Sequence, residues 1–359
     1  ILLPHLPSYR EYREGFGFLF NSYYEAVGSR YPRNARGLIS RPGVAEIASY
    51  RRHVDCAMTE LLSSTPDPTV LGLTELGLHH EQQHQELLLM DIKHVLSQNP
   101  LNPAYHRARP AGDFPSRSLG WVEHEGGTVE IGFEGTSFAF DNEQPRHCAT
   151  VTPFAIADRP VSCGDFLEFI EDGGYERPEL WLSDGWGAVN ATHSRAPMYW
   201  SSDGDSWSVF TLGGEQAIEP AAPVCHLTYY EADAFAHWAG ARLPTEVEWE
   251  ASQLGSSPSR TFDPNDVQPS PINEVGCVGQ VWEWTASAYL PYPGFRPAAG
   301  AVGEYNGKFM VNQHVLRGGS VATPPGHLRP TYRNFFPPGA SWPFTGARLA
   351  RDLDAERHA

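Results

Sequence analysis

The chain has 359 residues, of which 41% are hydrophobic and 19% are charged, a composition typical of soluble globular proteins. A formal net charge of −17 and the lack of basic runs argue against a protein that binds nucleic acid. No apolar stretch approaches the roughly 18–20 residues that span a bilayer, so we expect no membrane partner. A chain of this length favours two domains over one.

The first residues of the chain indicate whether it begins with a signal peptide, and its cysteines indicate the redox state of its compartment. The opening residues ILLPHLP lack a methionine and the charged region of a signal peptide, so we expect a further segment before Ile1. The scattered cysteines form no CxxC pair, which favours unpaired thiols in a reducing cytoplasm over a disulfide framework or a cysteine-rich zinc site. They are Cys56, Cys148, Cys163, Cys225 and Cys277.

The first part of the chain is helical by its apolar spacing. Residues 43–64 carry apolar side chains at near-helical intervals, and the pattern resumes over 68–97 before the sequence QNPLNP ends it. Two long helices joined by a short link are typical of a helix bundle. We therefore predict a helical domain over 1–108, with a linker within 107–118.

From residue 119 onward the pattern changes to short strands and short helices. Glycine and proline become frequent, and alternating runs such as GTVEIG (127–132) and HVLRGGS (314–320) predict strands. Helices are predicted at 162–171 with Ser162 as N-cap, at 228–239 with a capping box of Thr228 and Glu231, and within PTEVEWEAS (244–252). These elements predict a second, α+β domain over 119–355.

The stretch LHHEQQHQELLL (78–89) places histidines inside a leucine-rich helix. Because residues four apart stack on one helix face, His80 and His84 project side by side, with Glu86 nearby. Imidazoles beside a core-facing stripe need partners, and a metal ion satisfies that need, with Glu86 as a ligand or as an orienting group. The alternative is a helix with surface histidines.

The same residues also match the zincin pattern HExxH, as HEQQH. In that interpretation the two histidines bind zinc and Glu81 is the general base of a hydrolase. A zinc peptidase therefore stays open at this point.

Several long segments together resemble the sequences of one known family. The resemblance covers essentially the whole chain, and its motifs occur in the family's order. They are FLFNSYYEAVG (18–28), GLISRPGVAEIASYRRHVD (37–55), LGLHHEQQHQELLLMDIKHVL (76–96), FDNEQPRH (140–147), APVCHLTYYEADAFAHWAGARLPTEVEWE (222–250), VWEWTASAYLPYPGF (281–295) and EYNGKFMVNQHVLRGGSVATPPGHLRPTYRNFFPP (304–338). The family that these segments resemble is that of the iron(II)-dependent sulfoxide synthases of ergothioneine biosynthesis. The resemblance implies a DinB-like helical bundle over 1–108 and a formylglycine-generating-enzyme-like domain, related to C-type lectins, over 119–355.

The resemblance also implies a metal site. His80 and His84 match two histidine ligands of Fe(II), and the third histidine is expected upstream of Ile1. His5 and His53 are the nearest substitutes in this sequence, and neither matches the ligand position. Three imidazoles on an octahedral iron leave three positions for a thiolate, a substrate nitrogen and O2.

The reaction implied is the O2-dependent joining of the imidazole of hercynine (histidine trimethylbetaine) to a thiol, with sulfur ending as a sulfoxide. The sulfur donor is left open, with cysteine favoured over γ-glutamylcysteine. A selenoneine synthase, which joins a selenosugar to hercynine, is the main alternative within the same scaffold. The relatives that make 5-histidylcysteine sulfoxide are a further variant.

The segment TYRNFFPP (331–338) and the histidine helix supply the substrate-binding residues that the resemblance implies. Asn334 with Phe335 and Phe336 would hold the carboxylate and the quaternary ammonium, which aromatic faces bind with roughly 0.5–2 kcal/mol per contact. Gln83 would form a hydrogen bond with the imidazole. One branch of the family has Asp where Phe336 stands, and that Asp holds the amine of γ-glutamylcysteine, so its replacement here favours free cysteine.

Residues 23–36 carry the remaining candidates. Tyr23 and Tyr24 match the place where a branch of the family keeps its active-site tyrosines, and a phenol there could deliver a proton. Without the resemblance, adjacent tyrosines are more often packing residues. Three arginines flank the pair and are candidates for binding the carboxylate of the thiol substrate, or are solvated surface residues: Arg30, Arg33 and Arg36.

The second-domain fold is associated with two further properties, a formylglycine-generating activity and calcium binding. A formylglycine-generating activity needs reactive cysteines late in the domain, and no cysteine follows Cys277. The segment NEVGCVGQVWEW (273–284) resembles a loop where this fold sometimes binds calcium. Gln280 replaces the usual Asn or Asp there, so calcium is not predicted.

Overall fold

A computed structural model describes the chain at residues 1–21, 23–64, 67–110, 112, 114–204, 206–253, 262–272, 276 and 278–353. Positions 111 and 113 of the predicted linker lie outside this range, as do Cys277 and residues 273–275 of the calcium-loop segment. Within the described part of the chain, no helix is both long and apolar enough to cross a membrane. The four described cysteines are free thiols.

The chain divides into two compact units. The first comprises Ile1–Glu81 and Arg296–Lys308, and the second comprises Gln82–Phe295 and Phe309–Ala359. One long helix continues from the first unit into the second, with the change of unit between Glu81 and Gln82. The domain boundaries at 1–108 and 119–355 stay a prediction.

The first unit is built from helices, as its apolar spacing predicts. The helices are α1 (Leu2–His5), α2 (Phe16–Leu19), α3 (Val44–Ser63) and the first part of α4 (Pro68–Ser97). Asp67 caps α4, because its Oδ1 accepts the backbone N–H of Thr69 at 2.7 Å and of Val70 at 3.1 Å, and Pro68 occupies the first helical position. The buried apolar side chains of this unit are Leu2, Leu6, Ala57, Leu61 and Val70.

The helices of the second unit confirm the three predicted from caps and spacing. Besides the second part of α4, the α-helices among the described residues of this unit are α5 (Cys163–Glu171), α6 (Ser183–Thr192), α7 (Tyr229–Trp238) and α8 (Glu246–Gln253). Ser162 and Thr228 cap α5 and α7 through full capping boxes. Helix α6 was not predicted, because its two glycines lower helix propensity. Packing explains it: a Cβ at Gly185 would lie 2.6 Å from Cβ of Tyr230, so glycine permits close contact there.

The strands within the described residues form four small sheets. The first has β1 (Trp121–His124), β4 (Phe154–Ala157) and β12 (Ala350–Asp352), the second β2 (Gly127–Ile131) and β3 (His147–Val151), and the third β5 (Trp200–Ser202), β6 (Trp207–Thr211) and β7 (Gly214–Ala217). The fourth has the order β10 (Asn334–Phe336), β9 (His314–Arg317), β8 (Trp282–Ala288) and β11 (Thr345–Ala347). This mixture of helices and sheets confirms the predicted α+β character.

Buried arginines pair with glutamates around the fourth sheet. Arg333 binds Glu246 through two hydrogen bonds of 2.9 Å, and it directly precedes Asn334 at the start of β10. Arg348 binds Glu283 at 2.8 Å in the same bidentate manner. Removing one partner of such a pair leaves a charge buried without compensation, which typically costs about 3–5 kcal/mol. These pairs therefore fix the strands that carry the Asn334 segment.

The second half of α4 packs into the core of the second unit. Met90 is 2% exposed and belongs to a cluster with Phe344, Leu212 and Val281, against which Leu87 and Phe336 also pack. The Asn334–Phe336 strand and α4 thus share one apolar cluster. This packing places the predicted imidazole-binding helix beside the predicted carboxylate-binding segment within one unit.

Lys93 is buried in the same region without an acidic partner among the described residues. Its Nζ lies 2.7 Å from Nε2 of His226 and faces the rings of Tyr199 (4.9 Å) and Phe344 (5.4 Å). Burial lowers the pKa of Lys93 from 10.5 to about 8. His226 and Tyr199 both have positive φ angles, of 70° and 72°, which are unusual for bulky residues. The packing around Lys93 therefore tolerates backbone strain.

The depressed pKa of Lys93 predicts how stability changes with pH. Between pH 8 and 10.5 the folded chain binds fewer protons at Lys93 than the unfolded chain, so wild type should gain stability relative to Lys93→Met by about 3 kcal/mol as pH rises through this window. Denaturant unfolding of both proteins at several pH values measures the difference. Because the chain has two lysines, NMR of 13Cε-labelled lysine should also show one signal titrating near pH 8.

Lys308→Met is the matched control, since the Lys308 side chain is 39% exposed. Its unfolding free energy should run parallel to that of wild type across the same pH range. A constant difference between wild type and Lys93→Met would contradict the assigned cause.

Candidate functional site

His80 and His84 lie one turn apart on α4, as the spacing predicts. His80 is half-buried and His84 is exposed. The ring of Tyr305 packs edge-on against the His80 ring, with centroids 5.4 Å apart. Two imidazoles at this spacing are a chemically suitable donor pair for a transition metal such as iron. Among the described residues, no group of three or more His, Cys, Asp or Glu side chains could hold a metal ion.

Glu86 is anchored inside the second unit by hydrogen bonds to both of its carboxylate oxygens. Its Oε1 accepts hydrogen bonds from Nε1 of Trp282 (2.7 Å) and Oγ of Ser320 (2.6 Å), and its Oε2 accepts one from Oγ1 of Thr323 (2.9 Å). Burial raises the pKa of Glu86, and the three donors oppose that rise. Both oxygens are thus engaged by protein donors, and the carboxylate orients the helix.

The two glutamines between the histidines bond to the second unit as well. Nδ1 of His327 lies 2.9 Å from Oε1 of Gln82, and Nε2 of Gln83 donates to the Tyr332 hydroxyl at 2.7 Å. With Glu86, they form what we call the helix clamp: Gln82, Gln83 and Glu86 on α4, and Trp282, Ser320, Thr323, His327 and Tyr332 opposite them. The clamp fixes the rotation of α4 in the second unit.

Tyr23 and Tyr24 lie within the first unit next to the segment 304–308. The Tyr23 hydroxyl donates to the carbonyl oxygens of Glu304 (3.3 Å) and Tyr305 (3.2 Å), and Nζ of Lys308 lies 4.1 Å from the Tyr23 ring centroid. Tyr23 and Tyr305 rings are 6.1 Å apart. Tyr305 therefore contacts both Tyr23 and His80 inside this unit.

The environment keeps both phenols protonated. Burial, reinforced by Tyr24, raises the pKa of Tyr23 well above its usual value. Burial, reinforced by the Glu304 carboxylate, also raises the pKa of Tyr24. Such phenols can donate a proton at neutral pH, and they resist deprotonation to phenolate.

The arginines near the tyrosine pair lie at the surface. Arg30 is exposed and pairs with Glu25 at 2.6 Å, and Arg33 is exposed at the start of a short 3-10 helix. Arg36, in the same short helix, is half-buried. Their predicted role in binding a thiol-substrate carboxylate stays a prediction.

Residues 334–336 form strand β10. The sequence predicted a substrate-binding role for them and no strand. Asn334 pairs with Leu316 and Phe336 with His314 in antiparallel register. Alternation along a strand places Asn334 and Phe336 on one face and Phe335 on the other. Phe335 accordingly stacks on Tyr289 at 4.1 Å, while Phe336 packs toward the cluster that contains Met90.

The Asn334 amide is oriented by its own backbone. Its Oδ1 accepts the N–H of Phe335 at 2.9 Å, and within the described residues its Nδ2 has no protein acceptor. The nitrogen of Asn334 is therefore the end that can donate to a ligand.

Sequence reasoning did not single out Tyr305 and Tyr332. Both lie inside segments whose resemblance was noted, and Tyr332 stands two positions before the assigned Asn334. For Tyr305 the sequence offered no signal beyond the resemblance of its segment. The contacts themselves are not visible in sequence, because Gln83 and Tyr332 are 249 positions apart.

Comparisons with known proteins show which proteins this chain is similar to. A family model described as the sulfatase-modifying factor enzyme 1-like domain (FGE-sulfatase) matches residues 110–276 and 252–353. Hercynine oxygenase of Mycobacterium tuberculosis is 34% identical over 339 residues, which cover 86% of this chain and 78% of the relative. That of Mycolicibacterium smegmatis is 34% identical over 341 residues, with the same shares covered. Ergothioneine biosynthesis protein 1 of Schizosaccharomyces pombe is 27% identical over 236 residues, covering 60% of this chain and 28% of the relative.

The chain belongs to the hercynine oxygenase family. The family resemblance read from the sequence is thereby confirmed. The match at 110–353 also confirms a formylglycine-generating-enzyme-like domain in the second half of the chain. The DinB-like bundle predicted for the first half stays a prediction.

The helix clamp predicts graded losses of stability on changing Glu86. Glu86→Ala should lower the free energy of unfolding by roughly 3–5 kcal/mol, because three buried donors lose their acceptor. Glu86→Gln should lose about 1–2 kcal/mol, since an amide oxygen still accepts from Trp282 and Ser320 while its nitrogen donates to Thr323. Denaturant unfolding measures both, with Glu81→Ala on the exposed side of the helix as control. Equal effects for Glu86→Ala and Glu81→Ala would refute the clamp.

Proposed function

We propose that this protein is an oxygenase of ergothioneine biosynthesis that joins the imidazole of hercynine to a thiol and releases a sulfoxide. The observation that carries the proposal is the His80–His84 pair on α4 in a chain 34% identical to a hercynine oxygenase. In the overall reaction the imidazole C–H and the thiol S–H are replaced by a C–S bond. One atom of O2 ends on sulfur, and the other leaves as water with both hydrogens.

The metal assignment rests on donor chemistry. His80 and His84 would hold Fe(II), with the third histidine expected upstream of Ile1, and α3 and α4 would belong to a DinB-like bundle. Iron bound there would supply the activation of O2. The engagement of Glu86 by three protein donors supports a site made of imidazoles, and family membership favours iron over the zinc hydrolase that HEQQH also matches.

Hercynine would be bound within the second unit. The Gln83 amide would form a hydrogen bond with the imidazole, Nδ2 of Asn334 would donate to the carboxylate, and Phe336 would face the quaternary ammonium. Asn334 and Phe336 share one strand face, which supports a joint role. Phe335, stacked on Tyr289, would support the strand from behind.

The tyrosine pair would supply a proton. Tyr23 and Tyr24 both have raised pKa values, which supports a donor that is protonated at neutral pH. Arg30 and Arg33 would bind the carboxylate of the thiol substrate.

The first prediction from this proposal concerns iron. His80→Ala and His84→Ala should each lose bound Fe(II) and lower turnover by on the order of 100-fold or more. Changing a residue that only orients a metal ligand already lowers metal affinity or activity by about 10–100-fold. Iron is measured after anaerobic loading and desalting, and product by mass spectrometry. Gln85→Ala, at an exposed position on the same helix, should behave as wild type. Full iron retention in both histidine variants would eliminate the assignment.

A second prediction concerns the donor. With hercynine and O2, kcat/KM should be at least about tenfold higher for cysteine than for γ-glutamylcysteine. The reason is that Phe336 provides no carboxylate to pair with the amine of γ-glutamylcysteine, and losing one buried ion pair lowers affinity by about tenfold or more. Competition assays with product mass spectrometry measure the ratio. Preference for a selenosugar would support the selenoneine synthase alternative, and hydrolysis of a peptide by the zinc form would support the hydrolase.

A further inference from the structure

A short 3-10 helix, Asp141–Glu143, is anchored to the residues that lead into strand β10. Glu143 is fully buried, and its carboxylate accepts hydrogen bonds from Nη2 of Arg329 and from Oγ1 of Thr331, both at 2.6 Å. Both donors lie a few residues before β10 begins. This 3-10 helix belongs to the motif FDNEQPRH, to which the proposed function gives no role.

Asn142, the middle residue of this helix, is 2% exposed and uses its side-chain amide inside the fold. Its Nδ2 donates to the Tyr289 hydroxyl at 2.9 Å and to the carbonyl oxygen of Arg333 at 3.1 Å. The backbone carbonyl oxygen of Asn142 accepts a hydrogen bond from Nη1 of Arg333 at 2.9 Å. Because an amide nitrogen carries two hydrogens and a carboxylate carries none, this position requires an amide.

These contacts restrain both neighbours of Asn334 in the chain. The Arg333 carbonyl belongs to the planar peptide unit that joins Arg333 to Asn334, so holding its oxygen restricts the whole unit. The Tyr289 ring stacks on the Phe335 ring, with centroids 4.1 Å apart and planes inclined by 10°. Oδ1 of Asn334 accepts the N–H of Phe335 at 2.9 Å. The direction of the Asn334 amide therefore depends on the peptide before it and on the residue after it, and Asn142 is bonded to the support of both.

We propose that Asn142 is a positioning residue that aims Nδ2 of Asn334 at the carboxylate of the substrate. It acts through the Arg333 peptide and through the Tyr289 ring behind Phe335. The inference deepens the proposed function and rests on it. A hydrogen bond weakens steeply as its angle departs from linear, so a donor that is turned aside loses most of its contribution. The role therefore concerns one group of hercynine, its carboxylate.

An analogue without the carboxylate separates positioning from packing. Decarboxylated hercynine keeps the imidazole and the trimethylammonium group and lacks only the group that Asn334 would bind. Wild type should bind hercynine at least about tenfold more tightly than this analogue in anaerobic calorimetry, the contribution of one hydrogen bond to a charged group. In Asn142→Ala the dissociation constant for hercynine should rise about 5–10-fold, while that for the analogue stays within about twofold of wild type. The KM for the thiol and kcat should also stay within about twofold.

A double-mutant cycle tests whether Asn142 acts through Asn334. In an Asn334→Ala background, adding Asn142→Ala should change the dissociation constant for hercynine by less than about twofold, because the group that it positions is gone. A general loosening of the fold would weaken binding in either background.

Thr211→Val is the matched control for lost stability. Thr211 is also 2% exposed, and its hydroxyl donates to the backbone carbonyl of Gly214 at 2.8 Å within the third sheet. Like Asn142→Ala, it should lower the denaturant midpoint of unfolding. It should leave the preference for hercynine over the analogue at the wild-type value.

Two milder variants cover the case in which Asn142→Ala does not fold. Asn142→Asp keeps the shape of the side chain and places an oxygen where Nδ2 faces the Arg333 carbonyl, so it should lose the preference to the same extent. Tyr289→Phe keeps the ring stacked on Phe335 and removes one of the two acceptors of Asn142, so it should lose about two- to threefold of the preference.

The outcomes distinguish the two proposals. If wild type binds and converts hercynine, and the folded variants at Asn142 and Tyr289 keep its preference over the analogue, the positioning role is overturned and the proposed function stands. The same holds if wild type itself shows no preference. If wild type neither binds nor converts hercynine, both are overturned. A preference that is lost in Asn142→Ala and kept in Thr211→Val supports the positioning role.

Discussion

The buried carboxylate of Glu86 is the constraint on which the arrangement in the second unit depends. Three donors from β8 and the segment after β9 meet it, so α4 can bind there in one rotation only. A helix turns by a fixed angle per residue, and fixing Glu86 therefore fixes the direction of Gln83 one turn earlier. The buried carboxyl group lies on the same helix as the candidate site residues, and supporting groups of this kind orient reactive side chains.

Charge burial is used in two different ways around this helix. Arginines beside the fourth sheet are neutralised by glutamates, whereas Lys93 contacts a histidine and two aromatic rings. Paired ions hold strands in register, because either partner alone would be costly to bury. Burial lowers the pKa of Lys93, which has no acidic partner in the part of the chain that the structure describes, so its charge becomes a property that pH can alter. The chain's strongly negative net charge thus says little about its interior.

The elements that could be predicted from sequence are those specified by local physics. Periodicity gave α3 and α4, and capping boxes gave α5 and α7, because caps and periodicity act within a few residues. Helix α6 escaped prediction, since contact with Tyr230 outweighs the low helix propensity of its glycines. The spacing of His80 and His84 was predictable for the same local reason. The partners of Gln83 and Glu86 were not, because they are brought together only by the fold, from positions as far as 249 residues apart.

The proposed ligand contacts divide the recognition of hercynine between chemically different groups. A quaternary ammonium has no hydrogen to donate, so an aromatic face such as that of Phe336 binds it without a carboxylate, and a primary amine would lose its hydrogen bonds there. The Asn334 amide nitrogen suits the substrate carboxylate, because its oxygen is already engaged by the N–H of Phe335. In this proposal histidine would bind poorly, because its primary amine would lose hydrogen bonds against the aromatic face, so selectivity would arise from unmet hydrogen bonds more than from shape.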